Sequence, residues 1–271
     1  MTKGIVIIAT GNRQYGKLAS NLCASIKALS DLPVCIIHDD KALDSIDPIN
    51  LFMMNNRVKV SGDGFSLKLN LYDLSPFDST IYLDADTILT PYSNLNKLFA
   101  ELEGVQFTIA NRGESSNTSD WVDVKRIKEE YSFESWVDTS SEFIYFEKCE
   151  LAESIFRSAK DFYLNNKVVH RKIGGYQPDE PAFSYGMAWH GIKPHKIPFL
   201  PCYWDAQEKG VKREEDISAN YYLLSMGGNV NDERMRKIYK RWGQYYCRQV
   251  GVNYYAHVNK RDVNELNRKA I

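Results

Sequence analysis

The chain predicts an α/β fold in which a mixed, mostly parallel sheet is flanked by helices and followed by a helical carboxyl-terminal region. Three observations point there. Short β-rich apolar runs recur at residues 5–9, 34–37 and 80–83, helical spacings separate them, and polar residues stand directly at their carboxyl ends. Runs that are apolar throughout, rather than alternating, belong to strands covered on both faces.

The first run ends in Thr10-Gly11, after which Leu18, Leu22, Ile26 and Leu29 recur at helical spacing, so strand, glycine turn and helix follow in order. Pro33 precedes the second run, which stops at His38-Asp39-Asp40. A polar stretch at 61–64 leads into a short helix over 66–74, then a Pro76 turn and the strand 80–83. Further strands are predicted at 105–110, 143–146 and 196–199, and helices at 94–102 and 149–164. Residues 113–120, dense in Ser, Asn, Gly and Asp, read as a loop, and the region after Asn231 reads as mainly helical.

At 271 residues and 44% hydrophobic content the chain can bury a sizeable core. No basic, apolar segment opens it, and no run approaches the roughly 18 to 20 apolar residues of a membrane span, so a soluble, cytoplasmic protein is expected. The five cysteines, Cys23, Cys35, Cys149, Cys202 and Cys247, are scattered without a C-x-x-C pair, which argues against a disulfide frame or a zinc knuckle. A net charge of −1 conceals an asymmetry, because residues 231–271 carry ten Lys/Arg against four Asp/Glu. Arg234, Arg236, Lys237, Lys240 and Arg241 lie within two helical turns, near Tyr239, Trp242, Tyr245 and Tyr246. That mixture suits phosphate contact with base stacking, or a solvated helix face whose aromatics anchor it to the core.

The chemistry concentrates at Asp84-Ala85-Asp86. An apolar strand delivers two carboxylates to a sheet edge, where ligands of α/β folds bind. Such oxygens suit Mg²⁺ or Mn²⁺, which bridges to phosphates and neutralises a diphosphate leaving group. A bland reading has one Asp capping the next turn. Two enzymatic alternatives share the residues. A haloacid-dehalogenase-type phosphatase would use Asp84 as nucleophile in a D-x-D-x-T pattern, which fails here at Ile88. A phosphate-binding loop would use residues 11–17, which read G-x-x-x-x-G-K, but Leu18 stands where Ser or Thr should reach Mg²⁺.

Residues 66–89, SLKLNLYDLSPFDSTIYLDADTIL, resemble the glycogenin-like and galactinol-synthase-like glycosyltransferases. A Lys-bearing helix, a short turn and an apolar strand ending in D-x-D occur in that order. Ser140-Ser141-Glu142-Phe143 resembles the family's strand entering the acceptor cleft, and Gln177-Pro178-Asp179-Glu180-Pro181 its acidic helix start. The resemblance covers roughly residues 4–190 and implies a GT-A (nucleotide-diphospho-sugar transferase), Rossmann-like fold, with a catalytic domain at 1–226 and a helical extension at 227–271 packed on it.

The resemblance also implies roles. Ala9, Thr10, Gly11 and Tyr15 would line the nucleotide pocket with Asp84, Ala85 and Asp86. Asp84 would touch the donor ribose or sugar and share the metal with Asp86, and Lys68 would offset charge on the departing diphosphate. Asp39 or Asp40 would reach base or ribose, although an N-cap explains them equally well. Asp179 and Glu180 would orient donor sugar or acceptor hydroxyl, or cap a helix. The family's third metal ligand is a histidine in an H-x-x-G-x-x-K-P-W-like motif, whereas residues 224–229 here read LSMGGN; His257 is the candidate replacement, ahead of His190 and His195. Trp121, Trp136, Trp189 and Trp204 are candidates for stacking on the acceptor. The expected reaction moves a sugar, with retention, from a UDP-sugar to an unidentified hydroxyl on a glycan, small molecule or nucleic acid.

Overall fold

β1 (Lys3–Ala9) lies inside a six-stranded sheet of order β3-β2-β1-β4-β7-β6 and buries both its faces. Ile5, Ile7 and Ala9 enter one hydrophobic core, and Val6 and Ile8 enter the other on the opposite face. That is the packing reason for an unbroken apolar run where a one-faced strand would alternate. The computed structural model describes residues 1–46, 48–62, 64–114, 121–165, 177–196, 200–203, 212–227, 229 and 231–255.

After β1, Asn12 caps α1 (Arg13–Leu29) by accepting from the Gln14 amide, and Leu18, Leu22 and Ile26 pack on the first core. β2 (Val34–His38) pairs parallel with β1, and past the short helices α2 (Asp40–Leu43) and α3 (Pro48–Met53), β3 (Asn56–Lys59) pairs parallel with β2. The chain then crosses to the other side of β1, where β4 (Ser79–Asp84) pairs parallel with it. A topological switch point therefore lies at the carboxyl ends of β1 and β4, the place where open α/β sheets bind ligands.

The predicted helix over 66–74 is two pieces, α4 (Gly64–Lys68) and α5 (Leu71–Leu74). Asn70 breaks it: its side chain donates to the Ser66 carbonyl at 3.0 Å, competing with the helical ladder. β5 (Thr87–Leu89) follows the two aspartates at once and belongs to a second sheet of order β5-β9-β8. α6 (Leu95–Glu101), β6 (Phe107–Glu114) and α7 (Val124–Tyr131) come next. β7 (Val137–Glu147) is longer than the predicted 143–146 and runs antiparallel to both β4 and β6, so it alone opposes the sheet's direction.

α8 (Glu150–Asn165) and α9 (Glu180–Trp189) cover the second core through Ile155, Phe156, Ala159 and Phe183. Of the predicted strand at 196–199, residues 197–199 lie outside the described residues, and β8 (Leu200–Tyr203) begins just after them. β8 pairs with β9 (Tyr221–Ser225), which follows α10 (Glu214–Asn220).

α11 (Glu233–Val250) starts on an Asp232 cap and ends at Gly251, whose φ of +75° is the left-handed turn that glycine adopts at no steric cost. Met235, Ile238, Tyr239, Trp242 and Tyr246 enter the first core alongside β1 and α1. The aromatics that could have stacked on bases are thus packing residues; Tyr245 is the exposed one among them. Beyond α11, Asn21 of α1 clamps the backbone of Tyr255, donating to its carbonyl at 2.6 Å and accepting from its amide at 3.0 Å. No helix among the described residues is long and apolar enough to cross a membrane.

Candidate active site

Asp84 ends β4 opposite Ile8 of β1, and the Thr10-Gly11 turn stands beside it at the switch point. Lys68, on the last turn of α4, reaches this carboxylate with Nζ 2.8 Å from Oδ1 and 3.1 Å from Oδ2. The same ammonium lies 3.0 Å from Ser141 Oγ and 3.7 Å from Asp179 Oδ2, and the Tyr82 hydroxyl donates to Asp84 Oδ1. Only 8% of the Lys68 side chain and 1% of Asp179 are exposed. Lys68 is therefore a buried counter-ion between two carboxylates, not a residue of a solvated helix face.

Burial alone would lower the affinity of Lys68 for its proton. Asp179 and Asp84 more than reverse this and hold the ammonium charged. A carboxylate has about four lone-pair sites. Three on Asp84 are taken by Lys68 and Tyr82, which leaves one on Oδ2.

Asp86 lies where the chain turns from β4 into β5, its carbonyl accepting from the Met226 amide at 3.0 Å. Burial, then Asp84, then Glu142 push its carboxyl up to about 7. Tyr15, on the first turn of α1, is brought to the same place, its hydroxyl pushed up to about 12 by burial and by Asp86 and Asp84. Gly11, with φ +88°, directs its amide to Asp39 Oδ2 at 2.7 Å, while Asp39 Oδ1 caps α2 through the Ala42 amide at 2.8 Å. Asp39 thus serves as cap and as brace of the turn together. Asp40 is exposed and pairs with Lys59. Thr10 Oγ1 is buried without a hydrogen bond, and the methyls of Ala9 and Ala85 are packed in the core.

Asp179 occupies the N-cap position of α9 but makes no capping hydrogen bond; its carboxylate turns to Lys68 instead. Burial raises its pKa, with Lys68 and Ser141 opposing. Glu180 follows, with Oε2 buried and unpaired, and burial and Asp179 push it up to about 8 against the pull of Arg112. Glu180 lines a small pocket with Arg112, Trp121, Trp136, Asp138 and Thr139. Trp136 is buried, whereas Trp189 is 55% exposed on another surface.

His190 ends α9 and meets Ser158 at 3.1 Å, and the His195 amide donates to Thr108. Trp204, His257 and residues 115–120 lie outside the described residues.

Sequence reasoning did not assign Glu142. The pairing of β6 with β7 jumps from Ile109↔Ile144 to Ala110↔Ser140, so Ser141, Glu142 and Phe143 have no partner on β6. Bulges of this kind re-aim side chains beside active sites. Here Glu142 Oε1 accepts from Ser225 Oγ at 2.6 Å, and Oε2 from Ser140 Oγ at 3.3 Å. The legible signal was an acidic residue at the head of an apolar strand run.

Among the described residues no three His, Cys, Asp or Glu side chains converge as a ready-made metal site. The donor chemistry nevertheless fits a divalent cation bound with help from a substrate. An added Cβ at Gly227 would lie 3.2 Å from Glu142 Oε1, 3.4 Å from Ser225 Oγ and 3.7 Å from Asp86 Oδ2, so hard oxygen donors from three elements converge beside this glycine.

No family model matches the sequence, and no curated protein matches it. Solved structures do. The chain is similar to galactosyltransferase LgtC in complex with donor and acceptor sugar analogs, at 11% identity over 95% of this chain and 98% of that one, TM-score 0.54. It is similar to the glycosyltransferase GlyE of Streptococcus pneumoniae TIGR4, at 16% identity over 96% of this chain and 67% of that one, TM-score 0.53. The apo bifunctional WbbM matches at 10% identity and TM-score 0.57 over 92% of this chain; the chain spans about half of WbbM's length. At these identities the likeness shows the fold, which is of GT-A type.

Proposed function

We propose that the protein is a metal-dependent glycosyltransferase that moves a sugar from a nucleoside-diphosphate donor, a UDP-sugar, to an acceptor hydroxyl. The observation that carries this reading is the assembly of Asp84, Asp86, Lys68 and Asp179 at the switch point beside the Gly11 turn. The glycogenin-like order of Lys68, Asp84 and Asp86 supports the same class, and the similar solved structures are glycosyltransferases.

Tyr15, Thr10 and the Gly11 turn, braced by Asp39, would receive the nucleotide. Asp84 and Asp86 would hold Mn²⁺ or Mg²⁺, which when bound neutralises the charge that develops on a departing diphosphate. His257 is the further candidate ligand from outside the described residues. Lys68 balances Asp84 and Asp179 and fixes where Asp84 points. Glu180, on the pocket side, would orient the acceptor hydroxyl or donor sugar.

Retention of anomeric configuration follows from the resemblance to the glycogenin-like transferases, in which metal and diphosphate would drive departure without a strong protein base; an inverting displacement would instead use a carboxylate such as Glu180 as base. A glycan or small molecule is the favoured acceptor, because Tyr239, Trp242 and Tyr246 are core residues and Arg241 and Lys237 pair with Glu214 and Glu233; nucleic acid as acceptor rests on the exposed Arg234, Arg236, Lys240 and Tyr245 alone.

Calorimetric titration with UDP, GDP, ADP and CMP, with and without Mn²⁺, tests the reading. Binding of UDP that requires Mn²⁺ and disappears in Asp86→Ala is expected. Absence of binding in every combination would overturn the transferase and return Asp84 to the phosphatase alternative.

A further inference from the structure

Residues 224–229 carry no histidine where the resemblance would place a metal ligand, and a carboxylate of β7 is hydrogen-bonded to that segment instead. We propose that Glu142 of β7 is a metal ligand, paired with Asp86 beside Gly227. The inference rests on the metal-dependent reading of the site given above.

Three independent features of this chain converge on it. The first is the bulge, which takes residues 141–143 out of the β6 ladder and frees Glu142 from the sheet's ordinary inward and outward alternation. The second is the orientation of its carboxylate. Ser225 Oγ donates to Oε1 at 2.6 Å while itself accepting from the Gly227 amide at 3.0 Å, and Ser140 Oγ approaches Oε2. Hydroxyls that donate to a carboxylate fix its direction, as the supporting residues of metal ligands do.

The third is Gly227. A side chain at 227 would press on Glu142 Oε1 at 3.2 Å and meet Asp86 Oδ2 at 3.7 Å, so both carboxylates converge beside this glycine. Asp84 offers only one open lone pair beside them. Two protein carboxylates with the remaining positions filled by phosphate oxygens and water is an ordinary way to hold Mg²⁺ or Mn²⁺ at a nucleotide. It also explains how the chain dispenses with a histidine in residues 224–229, because the serine of that segment, Ser225, positions Glu142 instead.

The test is uptake of Mn²⁺ with UDP present, followed by the loss of the free-ion electron paramagnetic resonance signal, a readout independent of turnover. Wild type, Glu142→Gln and Gly227→Ala are compared. Glu142→Gln keeps the shape and the acceptor for Ser225 but removes the charge, and is expected to weaken Mn²⁺ binding tenfold or more, roughly the scale of ligand-shell losses. Gly227→Ala keeps every carboxylate and is expected to weaken it several-fold by crowding them. Should Glu142→Gln fail to fold, Gly227→Ala carries the test alone. Affinity within twofold of wild type in the variants overturns the assignment of Glu142 and leaves the donor site standing. Wild-type protein that takes up no Mn²⁺ with UDP overturns the metal-dependent reading itself.

Discussion

Lys68 is the cation that balances both Asp84 and Asp179. Buried between Asp84 and Asp179, it can be removed only by leaving two carboxylates without their cation. Breaking a buried pair from one side costs roughly 3–5 kcal/mol. Lys68→Met is expected to lower unfolding free energy by about that amount in urea titrations, and to do so whether or not nucleotide is present. Glu180 gives the opposite kind of dependence. Its folded pKa, about 8, exceeds the ordinary carboxylate value, so the native state holds a proton that the unfolded state releases. The resulting stability is complete below about pH 4.5 and is lost as pH rises through 8. Melting curves at pH 5 and pH 8.5 should show wild type losing roughly 3–6 °C more than Glu180→Gln over that interval. Of these residues, Asp84, Asp86, Lys68, Asp179 and Glu180 were legible as chemistry-bearing types at ordered positions. Tyr82 and Glu142 were not, because a tyrosine within an apolar run and a glutamate heading one announce their direction only once the strands are paired.

At the scale of elements, the donor turn depends on how closely α1 approaches α2. A methyl at Gly16 would lie 2.2 Å from the Ala42 carbonyl oxygen and 2.4 Å from Ser45 Oγ, and the carbonyl belongs to a backbone that has little room to move. Gly16→Ala should cost about 1–3 kcal/mol through overpacking. Because α2 is capped by Asp39, which also holds the Gly11 amide, the variant should weaken UDP binding as well, measurable in the same calorimetric titration. The glycine was visible in the sequence as part of a G-x-x-x-x-G-K string, yet its role is helix packing rather than phosphate capture. Strands with long apolar runs were legible for the same reason that β1 is buried on both faces. β3 (NRVK) and β5 (TIL) were not, being four and three residues long without an apolar run of their own, and β9 was not, because its tyrosines read as polar or apolar alike. The break between α4 and α5 has no mark in the sequence, since Leu67, Leu69 and Leu71 read as one apolar segment, while the side-chain hydrogen bond from Asn70 to the Ser66 carbonyl accompanies the break.

Across the whole molecule, the carboxyl-terminal helix packs into the first core, and the segment after it is fastened back onto α1. Asn21 is fully buried and holds both backbone polar groups of Tyr255. Replacing it by Ala leaves those groups unpaired at roughly 1–3 kcal/mol. Hydrogen exchange followed by mass spectrometry should show faster exchange confined to residues 252–255 and the end of α11, with the amides of β1 and β4 unchanged. The fold class was readable from alternating patterns, but this long-range fastening was not, since a single Asn within a helix carries no mark of a partner 234 positions away.

The charge cluster has one more consequence, for how the site depends on the whole chain. Lys68, Asp84 and Asp179 are supplied by α4, β4 and the start of α9, segments separated by up to 111 positions in sequence. All three charges are largely withdrawn from water with their partners in place, so none of the three segments can be displaced without exposing or stranding the charges of the other two. The polar arrangement proposed for donor binding therefore exists only when distant parts of the chain are docked at once, and nucleotide affinity should report the integrity of the fold as well as of the site.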